Sequence, residues 1–412
     1  MERGPPFNVR VKGGNWSHVH LQAALVAKNR NSADTCREPA CSTGTPCGAR
    51  STVRDVTAQP EMTAVCLTTI RDHVNSCLRS FLDSRSAAIS VISPDVQPLT
   101  EHVRALTEGG KRLRAAFAYV GYLGAGGRAG ESIAHAAAAL ELLQACALIH
   151  DDIMDASDLR RGAPSAHRRF EAVHQAAGWS GDAAAFGVGA AILAGDLCLS
   201  WADEMLMTSG FDDAHLTGAK HIYDVMRAEL MAGQYLDLVE QARADGNIER
   251  ARIVLRFKSA KYTIERPLHL GGALAGASSE LMASYSHYGL ALGEAFQLRD
   301  DVLGVFGTPE QTGKPSGDDL RTGKQTLLVA HTVNNASAAD AQQFLRLLGD
   351  GAISDGALSW MQELIIDSGA LDEVETAIAN QMESALSALD VISEPAATAL
   401  RELAVAATQR HS

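Results

Sequence analysis

The chain has 412 residues, 46% of them hydrophobic and 21% charged, which is enough apolar material for a sizeable globular core. The formal net charge of -13 argues against nucleic acid as a partner, because a phosphate backbone requires a broad cationic surface. The seven cysteines follow no regular framework, and no secretory signal or transmembrane span is recognisable, so we expect a reduced, cytoplasmic protein.

Residues 1–60 differ in composition from the rest of the chain. They are rich in Gly, Ser, Thr, Pro and Arg and have no helical period, which predicts a disordered N-terminal extension. An alternative is that Met62 is the natural start of the protein. Cys36, Cys41 and Cys47 lie in this extension without a fourth ligand at a familiar spacing, which favours unpaired thiols over a zinc site.

Residues 61–412 have the apolar spacing of helices almost throughout. Apolar residues recur every three or four positions, as at Leu140, Leu143 and Ala147, and alternating runs typical of strands are nearly absent. Breaks rich in glycine and proline separate the periodic stretches. The pattern predicts an all-α fold, a large single-domain helical bundle with short connections and a central active-site cavity.

The first motif that carries chemistry is Gly109 to Arg114, a glycine pair followed by basic residues. A glycine pair that opens a helix lets backbone N–H groups approach an anion at the positive end of the helix dipole. Lys111 and Arg114 stand three positions apart and are expected to point the same way and hold a phosphate. Taken alone, the motif is also compatible with a solvated basic face.

An acidic motif, Asp151 to Asp155, follows a long apolar stretch. Asp151 and Asp155 would lie about 6 Å apart along a helix axis on one face, with Asp152 alongside. Like charges so placed repel each other, which indicates a cation between them. Mg²⁺ fits, because it combines a few carboxylates with substrate phosphates. A solvated acidic helix end is the alternative for this motif taken alone.

A second acidic motif, Gln297 to Asp301, follows another apolar helix. Gln297 lies three and four positions before Asp300 and Asp301, so these side chains share a face. Two such motifs at the ends of core helices predict metal ligands that face each other across a cavity. The interleaved cations expected for a metal–diphosphate complex are Arg160, Arg161, Lys258, Lys314 and Lys324.

Together these motifs resemble those of the trans-isoprenyl diphosphate synthases, or polyprenyl synthetases, from about Met62 to the C-terminus. The family's DDxxD motif is similar to Asp151–Asp155, its Gly-Gln-x-x-Asp segment to Gly233–Asp237, and its Gln-x-x-Asp-Asp segment to Gln297–Asp301. Gly109–Arg114 resembles its Gly-Gly-Lys-Arg-x-Arg segment. The resemblance implies an isoprenoid synthase fold and the head-to-tail condensation of isopentenyl diphosphate with C5 to C15 allylic diphosphates, with release of pyrophosphate.

The resemblance also implies a role for each matching residue. Isopentenyl diphosphate is expected to contact Lys111, Arg114, Gln144 and Arg161. The allylic diphosphate is expected to contact Arg160, Gln234, Lys258, Ser259, Gln297, Lys314 and Lys324. Mg²⁺, three ions bridged by the allylic diphosphate, is expected at Asp151, Asp155, Asp300 and Asp301, with Asp237 acting through water. The residues expected to be catalytic are Asp151, Asp152, Asp155, Arg160, Lys258 and Asp300.

The chain departs from the family pattern at three positions. Gly304 stands where a third Asp ends the second acidic motif, Gln144 where many relatives have His, and Ser259 where Thr is common. The Gly304–Gly323 segment is a candidate for the lid that would exclude water from the reacting carbocation.

Product length is expected to depend on the residues that precede the first acidic motif. Cys146 and Ala147 are small where chain-blocking aromatic residues occur in the family. Leu143 lies one helical turn before Ala147. A growing tail could pass for about 11–16 Å along this helix. This favours geranylgeranyl diphosphate, C20, over farnesyl diphosphate or longer products.

Two alternative functions use the same residues. A class I terpene cyclase also has an Asp-rich, Mg²⁺-binding helical site, but it needs no isopentenyl diphosphate pocket, so Gly109 to Arg114 counts against it. A non-catalytic subunit of the same fold would be expected to lose acidic or cationic positions that this chain keeps.

The resemblance further implies a homodimer.

Overall fold

Helices make up nearly all of the regular structure. The structure, a computed structural model, describes residues 66–312 and 315–408, so the predicted extension at residues 1–60 and Lys314 lie outside the described residues. The α-helices are α1 (Leu67–Ser90), α2 (Gln97–Thr107), α3 (Leu113–Gly124), α4 (Glu131–Met154), α5 (Ala166–Ala177), α6 (Ala183–Met207), α7 (Asp213–Arg243), α8 (Ile248–Val254), α9 (Arg266–Leu274), α10 (Ser279–Phe306), α11 (Pro309–Thr312), α12 (Asp318–Arg321), α13 (Leu327–Asn335), α14 (Ala338–Leu347), α15 (Asp355–Asp367), α16 (Ala370–Ser387) and α17 (Ala396–Thr408).

A few short elements complete the structure. A π-helical segment spans Leu255–Glu265, and 3₁₀ turns span Pro94–Val96 and Ala388–Val391. In the described part of the chain, the strands are confined to one antiparallel hairpin of β1 (Leu159–Arg160) and β2 (Ala163–Pro164). The predicted all-α fold is confirmed.

Side-chain caps define several helix starts. Asp212 accepts a hydrogen bond from the backbone N–H of His215 at the start of α7, and Ser278 accepts one from Leu281 at the start of α10. Each cap satisfies an N–H group that the first helical turn leaves unpaired. One of the glycine-containing breaks, at Gly181, falls between α5 and α6.

The helix α4 lies within the larger of two apolar cores. Buried residues surround its axis from Ile133 to Ile149, and α1, α3 and α6 pack against it. A helix that is apolar on all sides must be enclosed by other helices. The fully buried alanines at 136–139 leave room for close approach. The acidic end of α4 therefore emerges from the interior of the bundle.

The helix α10 runs through both apolar cores. Tyr285 and Tyr288 in its first half belong to the larger core, whereas Leu298 and Val302 belong to the smaller one, with residues of α8 and α12 to α16. Packing on both halves fixes the direction in which the second acidic motif points.

Two described helices, α4 and α6, are long and apolar enough to cross a membrane by length and composition alone. The most apolar window of α4 is 67% buried, as expected for a core helix, whereas that of α6 is only 28% buried. Exposed apolar side chains on α6 include Phe186, Ile192 and Leu193. The described residues therefore leave an apolar surface on α6 uncovered.

Candidate active site

The C-terminal end of α4 carries the first acidic motif to a cavity. Asp151 lies in its last turn, and Asp155 is the residue that ends it. Asp152 has a different environment: it is buried and ion-paired with Arg160, whose Nε lies 2.9 Å from Asp152 Oδ1. Asp152 thus holds Arg160 in place, whereas Asp151 and Asp155 line the cavity.

Lys258 connects the first acidic motif to α7. Its Nζ lies 3.2 Å from Asp151 Oδ1 and 2.5 Å from Asp237 Oδ2. Burial disfavours the positive charge, but Asp151 and Asp237 outweigh that effect and raise the pKa of Lys258. Lys258 is therefore a fixed positive charge beside the acidic motif.

The π-helical segment brings Lys258 close to α7. A Cβ at Gly233 would lie 2.5 Å from the backbone N of Lys258 and 2.8 Å from its Cα, a separation that only glycine permits. π-Helical turns occur frequently at functional sites. The glycine of the Gly233–Asp237 motif thus allows Asp237 and Lys258 to meet.

Two carboxyl groups in the cavity have raised pKa values. Burial raises the pKa of Asp155 to about 6, and the negative charge of Asp151 adds to the shift. Burial also raises the pKa of Asp301 to about 7, although Gln297 donates a hydrogen bond of 2.8 Å to Asp301 Oδ1. Asp155 Oδ1 is buried and has no hydrogen-bond partner among the described residues. A bound cation would stabilise such carboxylates.

These carboxylates fit Mg²⁺ in company with an anion. Within the described residues, no group of three or more His, Cys, Asp or Glu side chains could hold a metal ion by itself. Mg²⁺ takes one or two carboxylates and completes its octahedral coordination with water and substrate phosphates. The unpartnered oxygen of Asp155 fits that pattern, and Asp300 and Asp301 line the same cavity.

Arginines from two loops lie close together at the loop of Gly109 and Gly110, called the glycine loop below. Arg112 and Arg161 have left-handed backbones with φ of 54° and 53°, a conformation that costs a non-glycine residue about 1–2 kcal/mol. A Cβ at Gly110 would lie 3.6 Å from Arg161 Nη2, so this guanidinium lies against the glycine loop. Burial and the positive charges of Arg112, Arg160 and Arg114 lower the pKa of Arg161. An anion would relieve that repulsion.

Tyr262 orients two side chains, Arg114 and Gln144, that are predicted to contact isopentenyl diphosphate. The Arg114 guanidinium lies over its ring, with Cζ 4.4 Å from the centroid, and the Tyr262 hydroxyl donates a hydrogen bond of 2.8 Å to Gln144 Oε1. Lys111 precedes α3, which begins at Leu113, so Lys111 and Arg114 do not both belong to this helix.

The cavity has a volume of about 390 Å³ and joins both acidic motifs with the flanking cations. The predicted residues that line it are Arg114, Gln144, Ala147, Asp151, Asp155, Arg160, Gln234, Asp237, Lys258, Ser259, Gln297, Asp300, Asp301 and Lys324. The predicted residues outside its lining are Lys111, Asp152, Arg161, Cys146 and Leu143.

Of the three predicted chain-length residues, Ala147 lines the cavity, whereas Cys146 and Leu143 are buried outside it. Cys146 Sγ lies 3.7 Å from Nδ1 of His150, and a Cβ at Gly195 of α6 would lie 2.2 Å from His150 Nε2. Cys146 and His150 therefore lie on the side of α4 that packs against α6, which explains why Cys146 is separated from the cavity.

Asp319, Thr322 and Gln325 line the cavity but are not among the predicted site residues. They belong to α12 and the loop that follows it, and the first two lie in the predicted lid segment. Their position depends on the path by which the chain returns to the cavity after α10, and no local sequence pattern predicts that path.

An all-helical bundle whose cavity combines carboxylates from two helices with fixed cations has the features of an enzyme that acts on diphosphates. The sequence model of the polyprenyl synthetase family matches residues 96–365. The chain is 30% identical to the short chain isoprenyl diphosphate synthase of Methanothermobacter thermautotrophicus, over 78% of this chain and 93% of that protein. It is 34% identical to the geranylfarnesyl diphosphate synthase of Aeropyrum pernix, over 65% of this chain and 79% of that protein.

A solved structure of geranylgeranyl pyrophosphate synthase from Corynebacterium glutamicum, complexed with isoprenyl diphosphate and magnesium, superimposes with a TM-score of 0.81. The two chains are 42% identical, and the match covers 84% of this chain and 100% of that one. The chain belongs to the polyprenyl synthetase family. The predicted family, its fold and its prenyltransferase class are thereby confirmed.

Proposed function

We propose that the protein condenses isopentenyl diphosphate head to tail with allylic diphosphates and releases pyrophosphate. The observation that carries this proposal is that carboxylates from the ends of α4 and α10 share one cavity with Arg114, Arg160, Lys258 and Lys324. A diphosphate bound with metal ions requires both signs of charge, because carboxylates bind the ions while cations bind the remaining oxygens.

The allylic diphosphate would lie between the two acidic motifs. The Mg²⁺ ligands would be Asp151, Asp155 and Asp300, with Asp301 in support and three ions in all. Bound Mg²⁺ would neutralise the charge that develops on the leaving pyrophosphate. Arg160 and Lys258 are already held by Asp152 and Asp237, so they would reach the same oxygens with little reorganisation.

Isopentenyl diphosphate would bind where Arg161 lies against the glycine loop, beside Arg114 and Gln144. Its charge would relieve the repulsion among the clustered arginines. Tyr262 would keep Arg114 and Gln144 in position. The double bond of this substrate would attack the allylic cation, and the departing pyrophosphate would take the proton that is lost. Apolar lining residues such as Leu255 and Leu303 would help to exclude water.

We propose geranylgeranyl diphosphate as the main product. Ala147 and Leu148 line the cavity beside Asp151, so the hydrocarbon tail would run past a small residue one turn before the acidic motif. The relatives described above include geranylgeranyl and geranylfarnesyl synthases, which supports a product of C20 or one isoprene unit more.

Product analysis tests the proposal. The purified full chain is incubated with Mg²⁺, labelled isopentenyl diphosphate and a C5, C10 or C15 allylic primer, and the products are dephosphorylated and sized. We expect a Mg²⁺-dependent C20 product. Asp151→Asn is expected to lower the rate by about 100-fold or more. Asp158→Asn is the matched control, because Asp158 is exposed, pairs with Arg168 and does not line the cavity.

The other outcomes of this assay distinguish the alternatives. Release of pyrophosphate from the primer with formation of a hydrocarbon would replace the synthase assignment by a cyclase. Inactivity of a folded protein with every primer would indicate a non-catalytic subunit. A product limited to C15 would keep the synthase and place the tunnel floor nearer to Asp151.

We also propose that the protein is a cytoplasmic homodimer in which α6 of a second copy covers the exposed apolar side chains of α6. Phe186, Ile192 and Leu193 supply the apolar area. Light scattering after size exclusion is expected to give the mass of two chains. A monomer that binds vesicles would instead point to a membrane contact.

A further inference from the structure

Gly304 occupies a position that has no room for a side chain. It is the residue at which the second acidic motif lacks its third Asp. A Cβ there would lie 2.1 Å from Oδ2 of Asp319 and 2.5 Å from its Cγ. The Asp319 carboxylate therefore occupies the space into which a side chain at position 304 would extend.

Asp319 is held there by its own helix. Its neighbour Leu320 is fully buried in the smaller apolar core, and the Leu320 carbonyl accepts a hydrogen bond of 2.9 Å from the N–H of Gly349. Asp319 Oδ2 lies 3.6 Å from Lys324 Nζ, and the backbone N–H of Lys324 donates a bond of 3.0 Å to the Asp319 carbonyl. Asp319 is buried and lines the cavity.

Asp319 also lies within electrostatic range of the second acidic motif. Its negative charge adds to the effect of burial in raising the pKa of Asp301. Asp319 pairs with Lys324, and the negative charges of Asp319, Asp301 and Asp300 raise the pKa of this lysine. This side of the cavity thus has three carboxylates, although α10 itself supplies only two of them.

We propose that Asp319 supplies the third carboxylate of the second acidic motif from α12, in the space that Gly304 leaves open, and helps to bind the divalent cation that accompanies the allylic diphosphate. This inference rests on the proposed function. Gly304 and Asp319 form a steric pair, because a side chain at position 304 would displace the acid. Cation binding is thereby linked to the docked position of α12.

Metal titration tests the role of Asp319. Mg²⁺ is titrated calorimetrically into the full chain at saturating pyrophosphate, a readout that does not require condensation. Asp319→Asn keeps the size of the side chain and is expected to weaken the affinity for Mg²⁺ by about tenfold or more. Asp318→Asn removes a charge from the adjacent residue, which does not line the cavity, and is expected to bind like the wild type.

A competing role for Asp319 is to orient Lys324 alone. In that case Asp319→Asn would weaken pyrophosphate binding at saturating Mg²⁺ and leave the Mg²⁺ affinity unchanged, which would overturn the proposal. Circular dichroism and the urea midpoint show whether each variant is folded before it is titrated.

Substitutions that exchange the side chains at positions 304 and 319 test the steric pair. Gly304→Ala is expected to weaken Mg²⁺ binding as Asp319→Asn does, whereas Gly218→Ala, where a Cβ meets nothing within 4 Å, is expected to have no effect. Gly304→Asp combined with Asp319→Gly is expected to restore most of the lost affinity. A folded double variant that binds Mg²⁺ no better than Asp319→Asn overturns the pairing. Asp319-dependent Mg²⁺ binding in a protein that fails to condense substrates would refute the proposed function and leave this inference standing.

Discussion

Asp152 and Asp155 stand three residues apart in one motif and have different surroundings. Asp152 forms an ion pair with Arg160, whereas Asp155 has a buried Oδ1 without a hydrogen-bond partner in the described structure. Burial and Asp151 raise the pKa of Asp155 to about 6. Asp152 therefore positions the guanidinium of Arg160, whereas Asp155 is suited to bind a metal ion.

Lys258→Met is expected to lower kcat by about 100-fold or more, because it removes a fixed positive charge from the leaving-group side of the cavity. Lys261→Met is the matched control. Lys261 lies in the same π-helical segment, is similarly buried and pairs with Glu229, but it does not line the cavity. Steady-state kinetics and urea unfolding are measured for both variants. Equal losses of kcat would mean that Lys258 acts only through the stability of the segment.

Ala147→Phe is expected to shorten the main product from C20 to C15, because Ala147 lines the cavity one turn before Asp151 and an aromatic ring there would block the tail. Cys146→Ala is the control and is expected to leave the product unchanged, since Cys146 is buried toward α6. Chromatography of the dephosphorylated products measures both. A longer product from Cys146→Ala would show that the tail passes Cys146 after all.

At the level of elements, close helix contacts bring the site residues together. Gly233 of α7 touches the π-helical segment at Lys258, and Gly293 of α10 approaches it at Ala260, where a Cβ would lie 2.6 Å from the Ala260 carbonyl oxygen. Both contacts are with backbone atoms, which cannot move aside as a flexible side chain can.

Gly233→Ala is therefore expected to destabilise the fold by about 1–3 kcal/mol and to lower activity, because the added methyl group collides with the backbone at Lys258. Gly218→Ala in the same helix is expected to increase stability by about 0.5–1 kcal/mol, since its Cβ meets no neighbour. Urea unfolding curves compare the two. Equal stability of both variants would contradict this account of the close contact.

Periodicity and motif spacing predicted the helical class and the two acidic motifs, and together with the family resemblance they predicted most of the charged residues that line the cavity. They did not predict the π-helical segment or the course of α12, because both depend on packing between distant parts of the chain. Asp319 reaches the cavity from such a segment. The environment of Cys146 was not predicted for a related reason. Cys146 lies on the side of α4 that packs against α6, and the local sequence pattern does not indicate which helix packs there.

At the level of the whole molecule, the site lies where two apolar cores adjoin. Met382 of α16 packs against both cores, and α10 contributes to both. Residues from α4, α7, the π-helical segment, α10 and α12 therefore keep their relative positions only while both cores are intact.

The contribution of the buried histidines to stability is expected to fall as the pH drops below about 6.5, their ordinary pKa, whereas the raised pKa values of Asp155 and Asp301 act in the opposite direction. Burial and Arg169 lower the pKa of His102 to about 4, and burial lowers the pKa values of His135, His167 and His269. The unfolded chain therefore takes up these protons first, and His102 alone costs roughly 1.4 kcal/mol per pH unit between 6.5 and 4. Urea unfolding from pH 7 to 5 is expected to show the stability of His102→Gln rising relative to that of the wild type as the pH falls, since the two carboxyl groups contribute equally to both proteins. Equal slopes would contradict this assignment.

The measurement that most directly tests the account is calorimetric titration of Mg²⁺ into the wild-type chain with and without pyrophosphate. The account predicts weak binding of Mg²⁺ alone and much tighter binding with pyrophosphate, because no three described side chains form a metal site by themselves. Asp151→Asn on α4 and Asp300→Asn on α10 should each remove the gain. Tight binding without pyrophosphate, or a gain that survives both substitutions, would contradict a metal–diphosphate site shared by the two helices.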